Sequence, residues 1–222
     1  MLVNQWMTRE VHVVAPTAPL AAAAESMVRH HVRRLLVEDA GRLVGVLARS
    51  DVLRAAPAGV NPFSPLGFPV GSLQTPVGDV MAKAVVSAPP DLAVEDAARL
   101  MNDRKIGVLP VVSGGRTVGV LTRSDLFRAF IALLGEDQSS LRLSFDVTHT
   151  EDAVAFAVQL AQRHGMRLAS VSTFTQDGRK AAVVRLVGYE PPGMLDEVWR
   201  TGHRVISVVR SNEDKPAPLP KP

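Results

Sequence analysis

The pattern of hydrophobic and polar positions predicts one sequence of elements that occurs twice in the first 135 residues. In the second occurrence, it predicts a short strand at 85–86, a helix at 94–101, strands at 108–112 and 117–121, and a helix at 126–134. Apolar residues recur at helical spacing in the first of these helices, Gly135 ends the second, and a Gly-containing turn joins the two longer strands. The first occurrence shows the same order, so each predicts a βαββα unit.

The two occurrences are copies of one another. Residues 7–55 align with residues 81–129 without a gap, and 19 of the 49 aligned positions are identical. The similarity is strongest where GRLVGVLARSD (Gly41–Asp51) repeats as GRTVGVLTRSD (Gly115–Asp125). Self-similarity at a fixed period marks repeated structural units. The sequence therefore predicts two units that work as a pair.

A different pattern follows Gly135. Leu141, Leu143 and Phe145 alternate with polar residues, which is typical of a strand that is buried on one face. The later segments predict a helix at 154–161, strands at 168–174 and 181–187, a helix at 194–201 and a strand at 205–209. This βαββαβ order is the ferredoxin-like layout.

These patterns predict an α/β (α+β) chain with five parts. They are repeat units at 1–56 and 77–135, a Pro/Gly-rich linker at 57–76, a ferredoxin-like domain at 140–210 and a disordered, proline-rich tail at 211–222. Phe63, Leu66 and Phe68 predict that the linker packs on the body at a few points. A passive connector is the favoured interpretation of the linker, and a lid is the alternative.

Composition narrows the classes of function. The 222 residues are 46% hydrophobic but contain no apolar run long enough to span a membrane, and Met1–Met7 does not resemble a secretory signal. The chain contains no cysteine, which fits the cytoplasm. The formal net charge is only +3 and no helix-turn-helix is visible, so a DNA-binding regulator is disfavoured. We expect a soluble cytoplasmic protein that binds neither nucleic acid nor membrane.

The repeated GVLxRSD segments and KIGVLPVV at Lys105–Val112 resemble the tandem CBS (cystathionine-β-synthase-type) domain pair, or Bateman module. The third segment looks like an ACT domain. Together they are similar to acetoin-utilisation (AcuB-type) CBS-CBS-ACT proteins, whose second CBS unit also continues into a segment like Asp125–Gly135. The resemblance implies a homodimeric regulator of an unknown partner. It implies no catalytic cofactor and no metal, and a regulatory ligand that is AMP, ADP, ATP or S-adenosylmethionine.

The resemblance also implies a set of nucleotide-binding residues: Arg33, Arg34, Asp51, Val86, Thr122, Arg123 and Asp125. Asp125 would accept hydrogen bonds from ribose hydroxyls, as acidic residues of dinucleotide folds do. Thr122 would point its hydroxyl the same way, and Val86 would line the adenine. Arg33 and Arg34 would bind phosphate, because guanidinium groups form paired charge-assisted bonds with it.

The two copies are unequal. Thr122 corresponds to Ala48, and Arg33–Arg34 corresponds to Gly107–Val108. We therefore expect one competent nucleotide site and one that is weakened or empty, although the latter keeps Asp51.

A structural role competes with the ligand role at the second copy. Thr122 and Asp125 have the spacing of a helix capping box, in which each side chain bonds the other residue's backbone amide. Capping alone predicts that Thr122→Ala lowers stability by about 0.5 to 2 kcal/mol and leaves nucleotide affinity unchanged. Ligand contact predicts that Asp125→Ala abolishes stabilisation by nucleotide. The Arg33–Arg34 pair could likewise be an ordinary solvated face.

Two further functions compete with this interpretation. An enzyme would have to use histidines, which are His12, His30, His31, His149, His164 and His203, and no catalytic or metal motif surrounds them. An amino-acid-sensing regulator would act through the ACT-like domain, with the CBS pair as a structural or dimerising module. Its loop at 148–152 lacks the Asp-x-Pro-Gly type of turn that many ligand-binding ACT domains have, which favours a dimerising role. We predict a protein that is not an enzyme.

Overall fold

The structure is a computed structural model. It describes residues 1–64, 71, 73–134, 140–149 and 152–211, without the side chains of residues 134 and 211. Its contacts divide the chain into two compact units, Met1–Ala129 and Phe130–Pro222. Most of the predicted tail at 211–222 and part of the predicted linker at 57–76 lie outside the described residues. So do Leu66 and Phe68, whereas Phe63 is buried in the core of the first repeat. No helix in the described ranges is long and apolar enough to cross a membrane.

The first repeat is a three-stranded sheet with helices. Its elements are α1 (Val3–Trp6), β1 (Val13–Val14), α2 (Leu20–Arg29), β2 (Arg34–Asp39), β3 (Arg42–Ala48) and α3 (Arg49–Ala55). Strand β1 runs parallel to β2, and β2 runs antiparallel to β3. Leu20, Ala23, Ala24 and Met27 form the buried face of α2, as their helical spacing requires.

The second repeat has the same plan with one strand fewer. Its elements are α4 (Val77–Val80), α5 (Val94–Asp103), β4 (Val108–Ser113), β5 (Arg116–Thr122) and α6 (Arg123–Leu134). The strand predicted at 85–86 is absent, and a single parallel bridge between Ala88 and Val111 takes its place. In the first repeat the Leu36 amide donates to the His12 carbonyl. The equivalent residue of the second repeat is Pro110, which has no amide hydrogen to donate.

The two repeats exchange their leading segments. Val3 of α1 donates its amide to Leu92 of the second repeat and is buried in that repeat's core. Val77 of α4 donates its amide to Ala18 and is buried in the core of the first repeat. Backbone bridges continue the exchange, since Thr8 pairs with Val120. Each core is therefore completed by residues of the other repeat.

The second unit is a four-stranded antiparallel sheet with two helices. Its elements are β6 (Ser140–Asp146), α7 (Asp152–Arg163), β7 (Arg167–Gln176), β8 (Arg179–Val187), α8 (Met194–Arg200) and β9 (Val205–Ser211). The strands lie in the order β7-β8-β6-β9, and Leu143, Phe145 and Leu160 lie in the core. The predicted βαββαβ order and the mixed α/β class are confirmed.

Candidate functional site

Both repeats line a crevice of about 840 Å³ in the first unit, called here the first crevice. It lies where β5 ends in α6, opposite the residues that lead into β1 and β2. The lining residues are Thr8, Glu10, Val11, His12, His31, Val32, Arg33, Arg34, Leu36, Ala48, Arg49, Ser50, Gly107, Val108, Val120, Thr122, Arg123 and Ser124. Pockets for small ligands usually have volumes of about 300 to 1,000 Å³. The first crevice is therefore large enough to hold a nucleotide.

Positive charge dominates the walls of the first crevice. Four arginines line it, and Glu10 is the only carboxylate among the lining residues. Arg34 reaches across to the second repeat, where an added Cβ on Gly107 would lie 2.7 Å from Nη2 of Arg34. Partial removal from water is the largest cause that lowers the pKa of Arg34, and the charge of Arg123 lowers it further, against the opposing effect of Asp51.

Thr122 and Asp125 form the capping box that their spacing allows. Oδ2 of Asp125 accepts hydrogen bonds from the Thr122 amide and from Thr122 Oγ1, both at 2.7 Å. The Asp125 amide donates to Thr122 Oγ1 at 3.3 Å, and Arg128 forms an ion pair with Asp125 Oδ1. The Asp125 carboxylate is almost completely buried by these partners. Thr122 lines the first crevice, and Asp125 lies behind it.

A second crevice lies at the position that the repeat makes equivalent to the first. Its volume is about 210 Å³, and it is lined by Ala48, Asp51, Val86, Lys105 and Arg34, together with several apolar residues. The carboxylate of Asp51 accepts from the Ala48 amide at 2.9 Å and from Arg54 at 3.3 Å. Because Ala48 has no hydroxyl, only half of the capping box exists there.

The structure separates the predicted site residues between the two crevices. Arg33, Thr122 and Arg123 line the first crevice, Asp51 and Val86 line the second, and Arg34 lines both. Val86 and Thr122 therefore line different crevices, because each crevice combines the strand-to-helix turn of one repeat with the segment 8–12 or 82–86 of the other. The position equivalent to Val86 in the first crevice is His12.

Sequence reasoning missed several residues of the first crevice. His12 and His31 line it, and the His12 ring stacks on the His30 ring with centroids 4.0 Å apart. Arg49 also lines it and lies 4.0 Å above the ring of Phe63. The gapless alignment of the repeats could have identified His12, since His12 aligns with Val86. Within the ranges that the structure describes, no three His, Asp or Glu side chains are grouped to hold a metal ion.

Comparison with known proteins identifies the repeats. The family model of the CBS domain matches residues 3–58 and 77–132. The chain belongs to the CBS domain family. The CBS domain-containing protein YhcV of Bacillus subtilis is 34% identical over 125 residues, which are 56% of this chain and 81% of YhcV.

Two further CBS proteins have solved structures. A protein of Vibrio cholerae named AcuB, for acetoin utilization, is 32% identical, and the match covers 60% of this chain and 93% of AcuB with a TM-score of 0.49. The chloroplastic CBSX2 of Arabidopsis thaliana is 30% identical over 159 residues, 62% of this chain and 67% of CBSX2. The crystal structure of CBSX2 in complex with AMP is 32% identical and covers 59% of this chain and 96% of that one, with a TM-score of 0.49.

The predicted tandem CBS pair is therefore confirmed, and the two CBS repeats, apart from the last residues of α6, lie in the first unit. The second CBS match ends at residue 132, before the segment that was predicted to be ACT-like. The ACT-like assignment stays a prediction, although the βαββαβ fold on which it was based is present.

Proposed function

We propose that this CBS protein is a non-catalytic regulator that binds an adenine nucleotide in the first crevice. The observation that carries the proposal is the composition of that crevice, which places four arginines, a threonine hydroxyl and several valines around about 840 Å³. A nucleotide offers the matching chemistry of phosphate, ribose and an apolar base. The sequence relative CBSX2 has been crystallised with AMP, which supports the same ligand class here.

The phosphate end of the ligand would lie against Arg33, Arg34 and Arg123. Guanidinium groups bind phosphate through paired, charge-assisted hydrogen bonds, which fix its orientation as well as its affinity. Gly107 leaves room for Arg34, because any larger residue would bring a Cβ into contact with its guanidinium. We expect Gly107→Ala to displace Arg34 and to weaken nucleotide binding several-fold.

The base and the ribose would occupy the remaining walls. Val11 and Val120 supply apolar surface, and the ring of His12, which stacks on the His30 ring, supplies a flat aromatic surface. We assign the ribose to Thr122, with Asp125 as the residue that orients the Thr122 hydroxyl. A ribose hydroxyl could contact Asp125 directly only if the buried carboxylate gave up a present hydrogen-bond partner, which is Thr122 or Arg128.

A ligand that contacts both repeats can regulate a partner by shifting populations. The lining of the first crevice comes from both copies, so a nucleotide stabilises the arrangement in which its contacts are complete. A partner would be regulated if it binds the arrangement with nucleotide and the arrangement without nucleotide with different affinities. We propose no catalytic step, and the smaller second crevice, which lacks the hydroxyl of Thr122, is the weaker site.

Calorimetry with AMP tests the proposal. We expect one strong site per chain, weakened about tenfold by Arg33→Gln and left intact by Arg99→Gln. Arg99 is a matched control, because it lies on α5 outside the crevice and pairs with Asp96. Failure of AMP, ADP, ATP and S-adenosylmethionine all to bind would refute the proposal. If Thr122→Ala bound AMP as tightly as the unchanged protein does, Thr122 would have only its capping role.

The second unit could bind an amino acid instead, in which case the CBS pair would be a structural or dimerising module. The loop after β6 argues against a ligand there, because Asp146 accepts hydrogen bonds from the amide and hydroxyl of Thr148. A thermal-shift panel of amino acids against nucleotides separates the two candidates. If an amino acid stabilised the protein and no nucleotide did, the second unit would be the favoured ligand-binding part of the chain.

We also propose that the protein is a cytoplasmic homodimer. Leu53 and Phe127 occupy equivalent positions of the two repeats, and both are exposed, Phe127 by 68%. Exposed apolar side chains at equivalent sites fit a symmetric contact with a second copy. Light scattering should give the mass of a dimer, and Phe127→Ser should lower it.

A further inference from the structure

Positively charged side chains gather around the first crevice. Arg33, Arg34, Arg49 and Arg123 all line one cavity, and Glu10 supplies the only opposing carboxylate among its walls. Burial is the largest cause that lowers the pKa of Arg34, and the charges of Arg123 and Arg33 lower it further, whereas Asp51 raises it. Like charges gathered around one cavity favour an anion that separates them.

The crevice arginines also lack carboxylate partners. Among the residues that the structure describes, Arg33 and Arg34 form no hydrogen bond or ion pair through their side chains. Arg123 donates only to the Ile106 carbonyl, at 3.5 Å, and Arg49 lies over the Phe63 ring.

Five arginines outside the crevice are paired with carboxylates. Arg54, Arg99, Arg128, Arg163 and Arg210 each form an ion pair with a carboxylate, and none of them lines the first crevice. Arginines such as Arg29 and Arg104, outside the crevice, also form no ion pair among the described residues, so what distinguishes the first crevice is that four such arginines line one cavity.

From this geometry we infer that the first crevice selects adenine nucleotides by phosphate number, with ATP bound more tightly than ADP and ADP more tightly than AMP. The inference rests on the proposed function, because it assumes that an adenine nucleotide occupies the crevice. Each added phosphate brings another negative charge and further acceptor oxygens to guanidinium groups that form no ion pair with a carboxylate of the described residues. The crevice discriminates against S-adenosylmethionine, whose sulfonium is a cation and which has no phosphate.

Calorimetry on the full chain tests this selection with adenosine, AMP, ADP, ATP, S-adenosylmethionine and inorganic tripolyphosphate, at one ionic strength and without magnesium. We expect affinity to rise about tenfold with each phosphate from AMP to ATP, and S-adenosylmethionine to bind more weakly than AMP. Added salt should weaken ATP binding more than adenosine binding, because ions screen charge. Arg34→Gln should lose more affinity for ATP than for AMP, whereas Arg99→Gln should match the unchanged protein.

Equal affinities for AMP and ATP would overturn the selection and leave the proposed function intact. Binding of S-adenosylmethionine as tight as that of ATP would do the same. Tripolyphosphate binding as tightly as ATP would show a general polyanion site, which removes the adenine from both the inference and the proposed function. Binding of none of the compounds would refute both. Thermal melting of Arg34→Gln in the absence of ligand checks that the variant folds.

Discussion

Replacing Thr122 by alanine gives the second repeat the sequence that the first repeat already has at Ala48. The change removes the bond from the Thr122 hydroxyl to Asp125 Oδ2 and the bond from the Asp125 amide to that hydroxyl. The bond from the Thr122 backbone amide to Asp125 remains available. Thr122→Ala is therefore a test of one half of a capping box, with the other half left in place.

The expected loss of stability follows from the bonds removed. Loss of a Ser or Thr N-cap lowers stability by about 0.5 to 2 kcal/mol, and the Asp125 carboxylate is buried, so we expect a loss of about 1 to 2 kcal/mol. The reverse change, Ala48→Thr, adds a hydroxyl beside Asp51, whose side chain is 18% exposed. We expect a smaller gain of about 0.5 to 1 kcal/mol there.

Urea unfolding followed by tryptophan fluorescence measures both changes. Trp6 packs in the core of the second repeat, whereas Trp199 lies in the second unit. A Trp199→Phe background therefore lets Trp6 report on the first unit alone. An unchanged urea midpoint for Thr122→Ala, or a destabilising Ala48→Thr, would refute the capping geometry.

Three further changes test the fold. Gly119→Ala would place a Cβ 2.9 Å from the Thr8 carbonyl oxygen, where the exchanged segment meets β5, and should lower the unfolding free energy by about 1 to 3 kcal/mol. Phe145→Ala empties a fully buried position of the second unit and should lower it by about 3 to 5 kcal/mol, followed by Trp199 fluorescence. The Thr148 hydroxyl is the first cause that lowers the pKa of Asp146, so the folded pKa lies below the unfolded one. The stability that this lowered pKa of Asp146 contributes is present above the ordinary carboxyl pKa of about 4, and it disappears as the pH falls through the folded pKa. Thr148→Ala should therefore be less stable at pH 7 than the unchanged protein and should lose less stability on acidification; parallel pH curves would contradict this.

The sequence predicted the regular elements well where periodicity is strong. The strands predicted at 108–112 and 117–121 are β4 and β5, extended by a residue or so at their ends. Helices α1 and α4 were not predicted, because four residues are too few to show a helical period. Their exchange between the repeats was also beyond sequence reasoning, since it depends on contacts that are distant in the chain, such as Val3 with Leu92.

The sequence predicted several of the residues that line the crevices, but not which of the two crevices each of them lines. The Arg33–Arg34 pair and Thr122 were chosen from the repeat and its resemblance, and the structure brings them to one cavity. Val86 was predicted to line the same cleft, but it lines the second crevice, because the segment 82–86 of the second repeat lies beside Ala48 and Asp51 of the first repeat. His12 aligns with Val86 in the gapless alignment of the repeats, so the sequence already held the signal that identifies it.

The central claim is that an adenine nucleotide binds in the first crevice, and a crystal structure of the full chain grown with ATP tests it most directly. The account predicts electron density for the phosphates beside Arg33 and Arg34, and for the ribose beside Thr122. Density beside Asp51 and Val86 in the second crevice instead, or none in the first crevice at a saturating ATP concentration, would contradict it.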